Sequence, residues 1–264
     1  MSLSMSKNLN KDRLFNKIKK RHVDYVSEVT PNPGSEHKLD ANINLKKMTR
    51  QGVILGSLLS SLELRGFFES IEAETTIRNG EPIPLLTYSF IDFLENYDFS
   101  DFNLIEFGSG NSTLYFEKKF KSVTSFETNS EWYKKIKNLI TITKYIHIKS
   151  KELENGDFSL DIDSENKSIV IIDAACNRYK ITKHLLEKTK PAFIVLDSSE
   201  WYRNTSELIL NHNYFEVPFW GYKNTEHWES CTSLFINMND IKRLQKNNVT
   251  PPLSRKMDNI WDKP

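Results

Sequence analysis

Short apolar runs and stretches of helical periodicity alternate along the chain from residue 103 onward. Asn103–Phe107, Ser122–Phe126, Tyr145–Lys149, Ser168–Asp173 and Ala192–Asp197 read as strands. Ser112–Phe120, Ser130–Ile140, Tyr179–Lys188 and Ser206–Asn211 read as the helices that follow strands. This alternation predicts a parallel sheet wound by right-handed crossovers. The continuous runs Val170-Ile-Ile and Phe193-Ile-Val-Leu suit strands covered on both faces. After residue 211 the order changes. Phe215–Trp220 and Thr232–Met238 are strand-like with only a loop between them, which predicts a terminal antiparallel pair.

Upstream the pattern is helical. Residues 40–72 carry an apolar stripe at Leu55, Leu58, Leu59 and Leu62, and Leu85–Tyr97 predicts a helix beside the first strand. Thr30-Pro-Asn-Pro-Gly-Ser and Asn79-Gly-Glu-Pro-Ile-Pro are turn clusters that punctuate this half. Between Lys7 and Arg21 stand seven basic residues and one acid, with Leu14, Phe15 and Ile18 at helical spacing. A solvated amphipathic helix accounts for that arm, and contact with phosphate or anionic lipid is the alternative. The expected organisation is an arm and helical cap over 1–84, a nucleotide-type domain over 85–240 and a tail over 241–264.

Composition narrows the class. The 264 residues are 38% hydrophobic and 12% aromatic, enough for a sizeable core, and the formal charge of +1 gives no global drive toward nucleic acid or membrane. The two cysteines, Cys176 and Cys231, form no C-x-x-C pair and read as free thiols of a reducing compartment. The polar, lysine-rich start lacks the apolar core of a secretory signal. The apolar stretch Gly52–Leu64 is too short to span a bilayer. The expectation is a soluble, cytoplasmic protein with no membrane partner.

The first strand ends on an acid and a glycine turn, Glu106-Phe-Gly108-Ser-Gly110-Asn-Ser-Thr, and the second ends on Glu127. Glycine lets backbone approach a ligand closely, and a carboxylate about 20 residues on, at the next strand tip, suits ribose hydroxyls. Thr113 stands where a nicotinamide-binding G-x-G-x-x-G would place its third glycine, and no P-loop lysine follows. Glu106-x-Gly-x-Gly with the acid on the next strand instead resembles the first two motifs of class I S-adenosylmethionine-dependent methyltransferases. The likeness covers about residues 85–240 and extends to the five strand–helix units with their terminal hairpin. It implies an α/β Rossmann-like fold with a mostly parallel seven-stranded sheet, a C-terminal antiparallel hairpin and an N-terminal helical cap. It also implies a cofactor, S-adenosylmethionine, held by Glu106, Phe107, Gly108, Ser109, Gly110, Asn111, Ser112, Glu127, Thr128 and Asp173.

Ligands of open α/β sheets bind beyond the carboxyl ends of the strands, where Glu127, Asp173 and Asp197 stand. By likeness to catechol-type methyltransferases, Asp173, Asp197 and Ser198 match magnesium-ligand positions, and Arg178-Tyr179 match a trailing substrate pair. Ser198 departs from that pattern by replacing an asparagine, and Cys176 falls where some relatives carry a lysine. The alternative for Asp173 is a general base toward an acceptor hydroxyl, or a bond to the cofactor's amino group. The loop Gly221-Tyr-Lys-Asn-Thr-Glu-His-Trp-Glu-Ser offers His227 as a base and Trp228 as a stacking surface for a sugar ring. Thr87 and Tyr88 precede the first strand as lid or packing residues.

The implied activity is O-methylation of a small polar or sugar-like acceptor, with Asp173, Asp197 and His227 as catalytic candidates. Tyr88, Arg178, Tyr179 and Trp228 are the substrate-contact candidates. A homo-oligomer is compatible with this reading. Nucleic acid is disfavoured, because no Asn/Asp-Pro-Pro-Tyr/Phe motif is present. The rival readings are a catalytically silent binding or scaffold protein that keeps the fold, and a dinucleotide-dependent oxidoreductase.

Overall fold

The computed structural model describes residues 50–160, 167–239 and 245–246. The predicted basic helix at 7–21, the turn cluster at 30–35 and most of the tail lie outside them. Chain contacts define two units, one of residues 1–80 with 251–264 and the other of residues 81–250.

In the first unit residues 40–49 of the predicted 40–72 helix lie outside the described residues, and the rest is two helices, α1 (Arg50–Leu64) and α2 (Phe67–Ala73). Gly66 between them has φ +80°, a left-handed conformation that suits glycine, and the Ile77 carbonyl lies where a Cβ would stand. Leu58 of the predicted stripe is exposed, and Leu59 and Leu62 are half-buried. Beyond α2 the chain turns back, and Ser70 fixes the turn by donating to the Ile77 carbonyl and accepting from its amide.

The second unit is built on one seven-stranded sheet. Its strands are β1 (Asn103–Phe107), β2 (Ser122–Glu127), β3 (Lys144–His147), β4 (Ser168–Ile172), β5 (Phe193–Leu196), β6 (Tyr214–Tyr222) and β7 (Glu229–Asn237). Their spatial order is β3-β2-β1-β4-β5-β7-β6. β1 to β5 pair in parallel, and β7 runs antiparallel to both β5 and β6. β6 therefore points the same way as the first five strands.

The helices of this unit are α3 (Tyr88–Asn96), α4 (Asn111–Phe116), α5 (Ser130–Lys137), α6 (Ser150–Glu154), α7 (Arg178–Lys188) and α8 (Arg203–Leu210), with a 3-10 turn at Ser199–Trp201. Every residue of β4 and β5 is buried, as expected of central parallel strands. Ile105, Phe107, Val170, Ile172, Ile194 and Leu196 share a core with Ile181 and Leu185 of α7 and Ile209 of α8. α3 buries Phe90, Ile91 and Leu94 and sets Phe90 and Phe93 against Phe219 of β6, with ring centroids 5.3 and 5.2 Å apart. Asn129 and Asn177 cap α5 and α7 by accepting backbone N–H bonds.

The predicted strands are present, Asn103–Phe107 with its bounds unchanged and the others with ends shifted by up to three residues, and α6 was not anticipated. Both cysteines are free thiols, Cys231 buried and Cys176 half-buried. Among the described residues no helix is long and apolar enough to cross a membrane.

Candidate functional site

The turn after β1 is held from three sides. Gly108 has φ +97°, and a Cβ there would stand 2.6 Å from the Asp173 carbonyl oxygen, so the turn is pressed against the end of β4. Gly110 is different: its φ of 172° is extended backbone, and the nearest atom to a Cβ there is Nε1 of Trp132 at 3.7 Å. That indole donates to the Ser109 carbonyl at 2.7 Å, so α5 covers the turn.

Glu106 is 1% exposed. Its Oε1 accepts from Ser112 Oγ at 2.5 Å, and its Oε2 accepts from Thr113 Oγ1 at 2.6 Å and Ser125 Oγ at 2.8 Å. Sheet register brings Ser125 directly opposite Glu106, and α4 brings the other two hydroxyls. Glu106 therefore acts through the turn it braces. Burial pushes its carboxyl up to about 7, against the pull of the three hydroxyl donors.

A carboxyl raised in the folded state favours the protonated fold. That stability is complete below the ordinary value of 4.5 and is lost as pH rises through 7. The loss amounts to about 3 kcal/mol. Glu106→Gln is expected to flatten the stability curve across that window and to be the more stable protein at pH 8. Chemical denaturation at several pH values checks this, and parallel curves for the two proteins would contradict it.

Glu127 sits at the tip of β2 and faces the same turn. Its Oε2 accepts from the Ser109 amide at 3.0 Å and from Ser109 Oγ at 2.6 Å, and its Oε1 accepts from the Asn129 amide at 2.7 Å. Tyr145 OH lies 2.6 Å from Ser109 Oγ and stacks on Tyr133 at 4.6 Å. A carboxylate offers about four acceptor sites, so three donors leave room for a ligand hydroxyl. Together with the close-approach turn, this free acceptor position suits a ligand that carries hydroxyl groups. Phe107 is fully buried beneath the turn, and Asn111 and Thr128 are half-buried beside it.

Asp173 follows β4. Its Oδ1 accepts from Arg178 at 2.8 Å, the side chain is 33% exposed, and Oδ2 has no hydrogen-bond partner among the described residues. Burial and the neighbouring Asp197 raise its carboxyl above the usual carboxylate range, and Arg178 opposes them. Arg178 is buried and also donates to the Asp197 carbonyl at 2.6 Å and the Ala174 carbonyl at 3.0 Å. It braces two strand ends. Tyr179 beside it is exposed.

The expected magnesium site is corrected. Lys223, on the loop between β6 and β7, reaches under the strand ends and places Nζ 2.6 Å from Asp197 Oδ2 and 2.8 Å from Ser198 Oγ. Thr232 donates to Asp197 Oδ1 at 2.8 Å, and the Lys223 and Asp197 side chains are 3% and 4% exposed. Two of the three expected ligands thus serve an ammonium, and the third serves Arg178. No group of His, Cys, Asp and Glu suited to a metal occurs among the described residues. The donor set does not fit magnesium, because its charge is already balanced by two side-chain cations.

The same loop accounts for Tyr88. Asn224, fully buried beside Lys223, accepts from Tyr88 OH at 2.9 Å, and Thr87 donates through Oγ1 to the Phe219 carbonyl at 3.0 Å. Thr87 and Tyr88 are buried packing residues in this arrangement. His227 is exposed and meets Trp228 edge-on at 4.5 Å, with no hydrogen bond among the described residues to Asp173 or Asp197. Trp228 and Trp220 are both exposed, so neither belongs to the core beneath the loop.

No family model matches the chain, and no curated protein sequence matches it. Solved structures do resemble it in part. A precorrin-6y C5,15-methyltransferase from Geobacter metallireducens is 12% identical, with 56% of this chain and 87% of that one covered and a TM-score of 0.42. The 23S rRNA methyltransferase ErmE is 12% identical over 59% of this chain and 70% of its own, with a TM-score of 0.41. The N-methyltransferase NodS from Bradyrhizobium japonicum is 12% identical over 51% and 85%, with a TM-score of 0.37. The architecture stands on the strands themselves. With the order β3-β2-β1-β4-β5-β7-β6 and a lone antiparallel β7, the chain has the Rossmann-like methyltransferase fold.

Proposed function

We propose that the chain is an S-adenosylmethionine-dependent methyltransferase acting on a hydroxyl oxygen of a small polar, sugar-like acceptor. The observation that carries this reading is the pairing of Glu127 at the tip of β2 with the Gly108–Gly110 turn, bridged by Ser109. Gly108 brings backbone to the cofactor, Glu127 accepts from its ribose, and Trp132 walls the far side of the turn. S-adenosylmethionine, when bound, supplies a methyl group activated on a sulfonium. Transfer to oxygen then depends chiefly on alignment. Asp173 is suited to take the acceptor's proton at Oδ2, since Arg178 occupies only Oδ1. Asp197 is walled in with Lys223 and acts by fixing the floor.

Isothermal titration with S-adenosylhomocysteine, in buffer containing a metal chelator, tests the reading. Saturable binding is expected without divalent metal. No heat at millimolar ligand would defeat it in favour of a silent scaffold, and saturable binding of NAD alone would favour the oxidoreductase.

A further inference from the structure

The mechanism above leaves unused an open cavity of about 640 Å³ between the start of α7 and the segment 200–205. Its lining includes Tyr179, Trp201, Tyr202, Arg203 and Asn204, and it reaches Arg178, five residues past Asp173. We infer that this cavity binds the acceptor, and that the acceptor is an anionic sugar. The inference rests on the methyltransferase reading and names the substrate class for that site.

Three features select this chemistry. Aromatic walls come first: Trp201, 71% exposed, and Tyr179, 41% exposed, line the same cavity and offer ring faces on which a sugar can stack. Tyr202 is held behind them, its ring 4.4 Å from the Arg178 guanidinium. The charge balance is the second feature. The cavity holds two guanidiniums against one carboxylate, Glu200. Arg178 is spent on Asp173 and backbone carbonyls, whereas Arg203 is exposed and has no partner among the described residues. Glu200 is occupied by Ser230 Oγ at 2.8 Å and the Cys231 amide at 3.0 Å. Glu200 keeps its charge but is turned to neutral donors of β7, so Arg203 is the free guanidinium that a carboxylate or phosphate on the ligand would meet. Third, Asn204 adds an amide that can donate and accept together, and Asn177, whose oxygen caps α7, adds its NH2 donors, a set that suits vicinal hydroxyls. Arg178 joins the cavity to Asp173, to which it donates at 2.8 Å, and so sets the proposed base beside the acceptor.

The test measures binding to the full chain saturated with S-adenosylhomocysteine. The probes are methyl glucuronide, glucose 6-phosphate, methyl glucoside and 4-hydroxybenzoate. At least one of the two anionic sugars is expected to bind about tenfold or more tightly than methyl glucoside, and which one it is tells carboxylate from phosphate. Arg203→Ala should erase that preference, and Trp201→Ala should weaken every sugar about fivefold or more. Both side chains are exposed, so the variants fold and keep their S-adenosylhomocysteine affinity. Equal binding of charged and neutral sugars, binding of 4-hydroxybenzoate alone, or no effect of either substitution would overturn the inference. If S-adenosylhomocysteine binds and no sugar does, the cavity assignment fails by itself. Failure of S-adenosylhomocysteine to bind defeats the parent reading instead.

Discussion

Lys223→Met is expected to cost about 3–5 kcal/mol of folding stability. The loss comes from what stays behind. Asp197 keeps its bonds from Thr232 at 2.8 Å and Ser198 at 3.1 Å, yet its charge loses the ammonium 2.6 Å away. Arg178 cannot substitute, because it meets Asp197 at the backbone carbonyl rather than the carboxylate. A buried ion pair stabilises little in net terms, but breaking it strands an uncompensated charge. The double variant Asp197→Asn/Lys223→Met should therefore recover much of the loss, and Asp197→Asn alone should be milder than Lys223→Met. Urea unfolding of the three proteins decides this. A loss under about 1 kcal/mol for Lys223→Met would mean that water reaches the pair.

Lys223 also shows where sequence reading stops. It lies in a polar loop with no periodicity, where a lysine normally points to solvent. Its partner is 26 residues away and becomes a neighbour only because β7 inserts between β5 and β6. The strand ends were legible for the opposite reason. Asp173 and Asp197 each follow a continuous apolar run, so local pattern alone marks them as tips.

Gly108 and Gly110 looked equivalent in sequence, yet only Gly108 adopts a conformation that calls for glycine. The magnesium expectation failed on partners rather than on ligands. Asp173, Asp197 and Ser198 do stand at the expected strand ends, but the cations beside them come from α7 and a distant loop. The cavity was missed because α8 begins at Arg203, three residues before its predicted start. That shift moves Arg203 and Asn204 from a connecting loop onto a wall.

Glu127→Gln is expected to weaken S-adenosylhomocysteine binding about 100-fold while leaving the fold intact. Glutamine keeps the shape of the side chain but loses the charge and turns one acceptor oxygen into a donor nitrogen. In the native protein all three described donors, the Asn129 amide and the Ser109 amide and hydroxyl, point at the carboxylate. The amide can satisfy only one side of that set, so the ribose hydroxyls lose a charged acceptor and the turn loses part of its clamp. An analogue lacking one ribose hydroxyl separates these two effects. Against the native protein the analogue should bind about tenfold more weakly than S-adenosylhomocysteine, whereas against Glu127→Gln the two ligands should bind nearly alike. Unchanged affinity in the variant would remove Glu127 from the ribose. Equal discrimination by both proteins would assign the hydroxyl to another acceptor and leave Glu127 as a brace for Ser109.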